Sequence, residues 1–384
     1  MVTATAWLAF GLPLAAHAVQ DCELDGRPVN VNNGAETAGK SGLIRCIDRD
    51  SRVVQREQEL QNGIYMGVVR RYQEGRLFKE YRVDAKGNME GRSREFSPGG
   101  KVVRDSVYQD SNEVGLVRSF HQSGTPRTIA FNGEGGREIA SAEFTESGKL
   151  SALRCGDRPV LAPAFDDARS CGFAGGPAEI ELFGGNGAVR QRATYSEGRR
   201  IRWESLQANG QPESSSETTG ERSVGRRFWP NGARRAEVHS VATPRGSVRQ
   251  RELEYSERGS LLREQRWSPE GLPQSDESFY LNGQPRSRSI YDGAGAQRTV
   301  EITDFHDSGQ RARQGRFRAA LRGGASTPIG THQTFDERGI LVGELVHDDR
   351  GRVGRERVFD AAGVLVRDDE VFEDGSRKAF EIRR

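Results

Sequence analysis

Six histidines are the side chains of this sequence whose ordinary pKa suits proton transfer near neutral pH. Three share one context: His121 in FHQSG, His306 in FHDSG and His347 in HDDRG. General acid–base chemistry would need such a group within reach of a carboxylate and a substrate. His347-Asp348-Asp349 comes nearest, and its nitrogen and oxygen donors could also hold a cation. Adjacent residues on a strand point to opposite faces, so at most two of those three converge. A residue that recurs in one phrase belongs to the phrase, and the three histidines are read as turn residues. His239 and His332 have no partner that spacing identifies. Paired carboxylates such as Asp166-Asp167 and Asp368-Asp369 are scattered without a pocket to serve. No GxSxG joins a strand to a helix. The glycines at 133, 135, 136, 293 and 295 lack the strand-to-helix setting of a phosphate loop. The sequence therefore predicts no catalytic residue, no cofactor and no metal: a protein that is not an enzyme.

Four cysteines remain, Cys22, Cys46, Cys155 and Cys171, with no CxxC among them. An even number in an exported chain predicts two disulfides, and the pairing Cys22–Cys46 with Cys155–Cys171 closes the shortest of the loops that three connectivities allow. Export is read from Ala4–Ala16, a short apolar run, followed by Ala16-His17-Ala18, a small-x-small cleavage pattern. Cleavage after Ala18 would leave Val19 first. The run is shorter than the roughly 20 residues that span a bilayer, so no transmembrane segment is expected after cleavage. Asp21 stands before Cys22 where a lipid-anchored protein would carry a small residue. The expected location is periplasmic or secreted.

Apolar residues make up 34% of the chain and charged residues 29%, which excludes a deep core. Net charge is only +2, and aromatics recur on a schedule, which excludes ordinary disorder. The cations are 51 Arg and 6 Lys. Because 55 acidic residues interleave with them, they are read as a solvated sheet face and not as a groove for nucleic acid.

The elements that must position all this are clearest at the C-terminal end. FDERGIL at 335, HDDRGRV at 347, FDAAGVL at 359 and FEDGSR at 372 follow one another at 12, 12 and 13 residues. Asp and Asn tolerate turn dihedrals and Gly supplies φ > 0, so each phrase is a hairpin turn. Residues 1–18 are the signal peptide and 19–61 an N-terminal cap with a disulfide. A first repeat block covers 62–154, a disulfide-containing connector 155–178 and a second block 179–384. The repeat aromatics are Tyr72, Phe96, Phe120 and Phe144, then Phe228, Tyr255, Tyr291, Phe305, Phe335 and Phe359. In stacked strands they predict an aromatic ladder that serves as core. Residues 207–223, rich in Ser and Thr, and 319–330, rich in Gly, are read as exposed loops. The fold class is all-β: an elongated, twisted array of antiparallel β-hairpins built from 11–14-residue repeats.

The phrase aromatic-x-x-x-Gly-x-apolar, in YQEGRL, FTESGKL, FWPNGAR and YSERGSL, resembles the variant MORN repeat of bacterial YwqK-family, antitoxin-like proteins. The resemblance covers most of 62–154 and 179–377 and implies a hairpin array that acts by binding. Tyr291-Asp292, Phe335-Asp336 and Phe359-Asp360, each followed by x-x-Gly, are similar to the tyrosine-aspartate repeats of Rhs-type shells, a second reading. The function expected is a scaffold for a protein or cell-envelope polymer. A cell-wall hydrolase is the alternative from another class.

Overall fold

The computed structural model describes residues 20–293, 295–319 and 326–380. The signal-peptide reading and residues 320–325 of the second expected loop lie outside them. Among the described residues the regular structure is almost wholly strand, in two open antiparallel sheets. It divides into two units, one of residues up to 178 with 182–188 and 196–199, the other of 179–181, 189–195 and the rest. No helix among the described residues is long and apolar enough to cross a membrane.

The first sheet has twelve strands, laid down in chain order from Gly42–Asp48 to Leu150–Arg154. Gln20–Leu24 pairs with Gly42–Asp48 and carries the short Arg27–Pro28 on its outer side. The boundary expected at 61/62 falls in the turn Asn62-Gly63, and the sheet runs straight through it. Ile44, Cys46 and Leu60 are buried there against Cys22, Leu24, Val29, Val31 and Tyr65. Cys22 and Cys46 stand directly opposite and are joined as expected. The second sheet has seventeen strands, from Ala178–Phe183 to Arg377–Ala379, each hydrogen-bonded to the next in sequence.

Turn chemistry sets the repeat length. Leu341–His347 and Val353–Phe359 are seven residues each, and the five residues 348–352 between them complete a period of twelve. In the next turn Gly363 N donates to Asp360 O and Asp360 N to Val364 O, both at 2.9 Å. The Asp360 carboxylate accepts from Ala362 N and Val364 N. Gly363 sits at φ +79°, and the register slips by one so that Phe359 faces Leu365. This is a type I turn closed by a glycine bulge. Elsewhere two-residue turns with both φ positive, such as Glu74-Gly75 and Glu197-Gly198, match the strand twist directly and flank longer strands, ten residues in Ile64–Gln73. Mixing the two turn types makes the spacing drift.

The loop expected at 207–223 is instead a turn and a strand. Gln207–Gln211 closes as the other bulged turns do, and Pro212–Thr219 pairs on both sides, with Arg199–Leu206 and Arg222–Phe228. Serine and threonine do not break a strand when both neighbours complete its backbone hydrogen bonds, and no glycine lies inside this one. Their hydroxyls also pair across it, Ser205 with Ser214 at 2.7 Å. Of the second expected loop, residues 327–330 belong to the strand Thr327–Phe335.

The connector 155–178 is a compact plug. Cys155–Cys171 closes it, and Leu161, Asp167 and Cys171 are fully buried. The Asp167 carboxylate accepts from Val160 N and Leu161 N at 2.6 and 2.9 Å. The turn Glu197-Gly198 docks on it, donating to the carbonyls of Gly172 and Cys171.

Candidate interaction surface

Apart from Tyr291, which lies at the opposite margin on the strand before that of Phe305, the repeat aromatics close alternate strands, so neighbours in a row on one sheet margin are two strands apart, roughly 10 Å. That distance is too long for ring-on-ring contact, and the expected aromatic ladder takes a different form. Across each bulge the aromatic faces the residue six positions on: Phe96 faces Val102, Phe120 Pro126, Phe144 Leu150 and Phe359 Leu365. Where that residue is arginine, its guanidinium fills the gap and stacks on the next ring of the row. Arg234, opposite Phe228, lies 5.6 Å from the Tyr255 ring, and Arg311, opposite Phe305, lies 4.9 Å from Phe335. Tyr291 takes Arg298 at 4.6 Å. Phe335 is buried and the other nine are half-buried. Phe144 meets Phe165 of the connector edge-on at 5.8 Å. Tyr72 turns its hydroxyl to Glu57 at 2.7 Å, and burial, with that carboxylate, pushes its pKa up to about 12.

The residue after the aromatic has a job that the sequence did not disclose. His121, Trp229, Tyr280 and His306 each donate to the carbonyl of the next aromatic on the same margin: Phe144, Tyr255, Phe305 and Phe335, at 2.8–3.2 Å. A carbonyl oxygen only accepts, so both histidines carry their proton on Nε2. Asn231 and Asn282, two residues further on, reach the following turn in the same way, at Glu257 O and Asp307 O. Tyr280 is thus a stapling residue, and Phe279 closes its strand.

His347 differs. It stands where an aromatic would, at the end of Leu341–His347. Its ring packs 4.4 Å from His332, which packs 4.7 Å from Phe317. His332 donates through Nε2 to Arg316 O, and the buried Nδ1 of His347 has no hydrogen-bond partner. Burial, then the neighbouring His332, lowers the His347 pKa below 6.5, with a hydrogen bond to the Gly330 backbone and then Asp348 opposing. A depressed histidine pKa means that the unfolded chain takes the proton first, so this stability is complete above 6.5 and drains away as pH falls below it. Amide protection over Thr327–His347, corrected for the intrinsic slowing of exchange at lower pH, should therefore fall as the pH drops below about 6.5, and His347→Phe should remove that dependence. Equal pH sensitivity in the variant would assign the effect elsewhere.

The arginines are not simply a solvated face. Glu57 lies between Arg45 at 3.0 Å and Arg70 at 3.7 Å, and Glu80 between Arg70 at 2.8 Å and Arg94 at 2.7 Å. Asp105 takes Arg92 and Arg118 at 2.8 and 2.5 Å. In the second sheet Asp368 takes Arg355 at 2.6 Å and Arg357 at 3.6 Å, and Arg357 continues to Glu344 at 2.5 Å. In each pair the carboxylate is the less exposed member and the arginine covers it, with Glu57, Asp105 and Asp368 buried and Glu80 and Glu344 half-buried. Burial raises Glu57, but the Tyr72 hydroxyl and the two arginines outweigh it and hold the carboxyl below its usual range. Asp368 is lowered chiefly by its hydrogen bonds to Arg355.

A cavity of about 540 Å³ opens on the first strands of the second sheet, where Arg192 pairs with Glu181 and Glu204. Two others, of about 810 and 680 Å³, lie at the N-terminal end of the first sheet. None of the three is lined by histidine.

No protein-family model matches the chain, and no curated protein matches it. Among solved structures it is similar to the Tc holotoxin pore of Photorhabdus luminescens, at 9% identity over 88% of this chain and 18% of that one, with a TM-score of 0.15. It is also similar to a putative 6-phosphogluconolactonase from Bacteroides uniformis, at 12% identity over 88% and 91%, with a TM-score of 0.12. Likenesses at these scores carry no argument about fold or function.

Proposed function

We propose that this chain is an exported, non-enzymatic repeat scaffold, of the variant MORN type that its phrases resemble, which binds a protein or a polymer of the cell envelope. The observation that supports binding best is periodic: aromatics recur in one register along a margin of each open sheet, and in the second sheet Arg234 and Arg311 lie between successive rings of the row. Such a row can engage a repetitive or extended partner at several points, each weak and together firm. Two disulfides favour an oxidising compartment.

Saturable co-sedimentation with purified envelope polymer, or cross-linking to one envelope protein in the cell, is the result expected. Turnover of a cell-wall substrate without stoichiometric binding would replace the scaffold with a hydrolase. Export is tested separately by intact mass. The mature chain should begin at Val19 and expose no alkylatable thiol before reduction, and four labelled cysteines would reject it.

A further inference from the structure

Carboxylates separate the cations of the first sheet in the rows described above, but one row lacks them. Arg56 stands directly opposite Arg71, and Arg71 directly opposite Lys79, on three adjacent strands. Of the three only Lys79 has a carboxylate, Glu95 at 3.0 Å. Directly opposed side chains have Cβ atoms about 4.5–5.5 Å apart, and like charges there repel. Arg56 donates to Gln58 on its own strand, and its buried Nε has no partner. Arg71 donates Nε to the Tyr81 hydroxyl at 3.3 Å. Two arginine side chains therefore stand side by side on one face of adjacent strands with donors unused.

Both line the cavity of about 810 Å³ in the first sheet, together with Gln55, Gln73, Tyr72 and Phe78. Two carboxylates share its wall. Asp48 is already hydrogen-bonded by Ser51 N and Oγ, both at 2.8 Å, and by Gln55 Nε2 at 3.1 Å. Glu74 sits on the exposed turn, and neither carboxylate pairs with Arg56 or Arg71. Phe78 offers an exposed apolar ring beside the cations. Such a volume suits a small ligand, and paired guanidinium forks suit an oxyanion gripped from two sides.

We propose that this cavity binds an oxyanion, phosphate or carboxylate, borne by a small polar ligand such as an acidic sugar, with Arg56 and Arg71 as the clamp. The oxyanion takes the place that carboxylates occupy in the neighbouring rows and relieves the opposed charges. The Gln73 amide is placed for the ligand's hydroxyls and Phe78 for its apolar face, whereas the Gln55 amide is held by Asp48 and Gln20 in the wall. This site does not depend on the scaffold reading, since a sheet of any function could carry it.

The test uses the oxidised chain, by thermal unfolding and titration calorimetry, with inorganic phosphate, glucose 6-phosphate, glucuronate and glucose at matched ionic strength. Wild type should gain stability with at least one anion and none with glucose. A response to the phosphates alone assigns phosphate, and one to glucuronate alone assigns carboxylate. Arg71→Glu turns the opposed pair into an ion pair, so it should melt higher than wild type without ligand and respond to no anion. Arg71→Gln should bind at least tenfold more weakly. The proposal is overturned if no anion stabilises wild type beyond matched chloride, or if either variant responds as wild type does.

Discussion

Alanine at Gly198 is expected to destabilise the chain more than most single changes in it. Gly198 is the second residue of the turn that docks on the disulfide-closed plug, at φ +76°. A left-handed backbone costs a residue with a Cβ about 1–2 kcal/mol. That Cβ would also lie 2.1 Å from the Gly156 carbonyl oxygen and 2.9 Å from the Phe173 ring. The first is backbone of a plug fixed by Cys155–Cys171 and cannot swing aside. Overpacking of this kind costs about 1–3 kcal/mol more. A total of about 2–5 kcal/mol should appear as a lowered urea midpoint. Gly210 is the control: its φ is +80°, with nothing near a Cβ, so Gly210→Ala should show only the conformational part. Equal losses at both sites would mean that the docked turn is looser than the contact with Gly156 implies.

The features that could be read from sequence are those whose chemistry is local. A turn of five residues carries its own signature in Asp360 and Gly363, and the repeat length follows from it. The disulfides follow from proximity along the chain. The arginine rows are not local, because register decides which strand positions meet. They do leave a trace: Arg92–Asp105, Arg251–Glu264, Arg263–Asp276 and Arg355–Asp368 are each separated by 13 residues, one residue beyond the hairpin period. Reading cations and carboxylates at that offset would have found the pairing which composition alone presented as a solvated face. The strand Pro212–Thr219 was hidden for the opposite reason. Its polarity is what a loop would show, and only its two neighbours make it a strand. The stapling role of His121 and His306 depends on carbonyls 23 and 29 residues away, and only their shared slot with Trp229 and Tyr280 gives it away. Of the candidate site, the aromatic positions were legible and their partners were not.

Truncating Phe335 is the second change expected to cost most. It is the buried member of its row, it faces Leu341, and Arg311 lies on its ring. Its carbonyl also receives His306, so the ring and the backbone beside it hold two neighbouring hairpins together. Phe335→Ala should lose about 3–5 kcal/mol through lost burial and the cavity left. Phe359→Ala should lose less, because that ring is only half-buried and has less burial to lose. In a sheet whose strands touch only their neighbours, the damage should spread by one or two hairpins and stop. Amide exchange should accordingly rise across 299–318 and 327–359 and stay unchanged in Val189–Ser196 and Pro212–Thr219 of the same sheet. If protection fell along all seventeen strands at once, the sheet would be one cooperative body. The repeats would then no longer be separable units, and a binding row could not keep part of its length when another part melts.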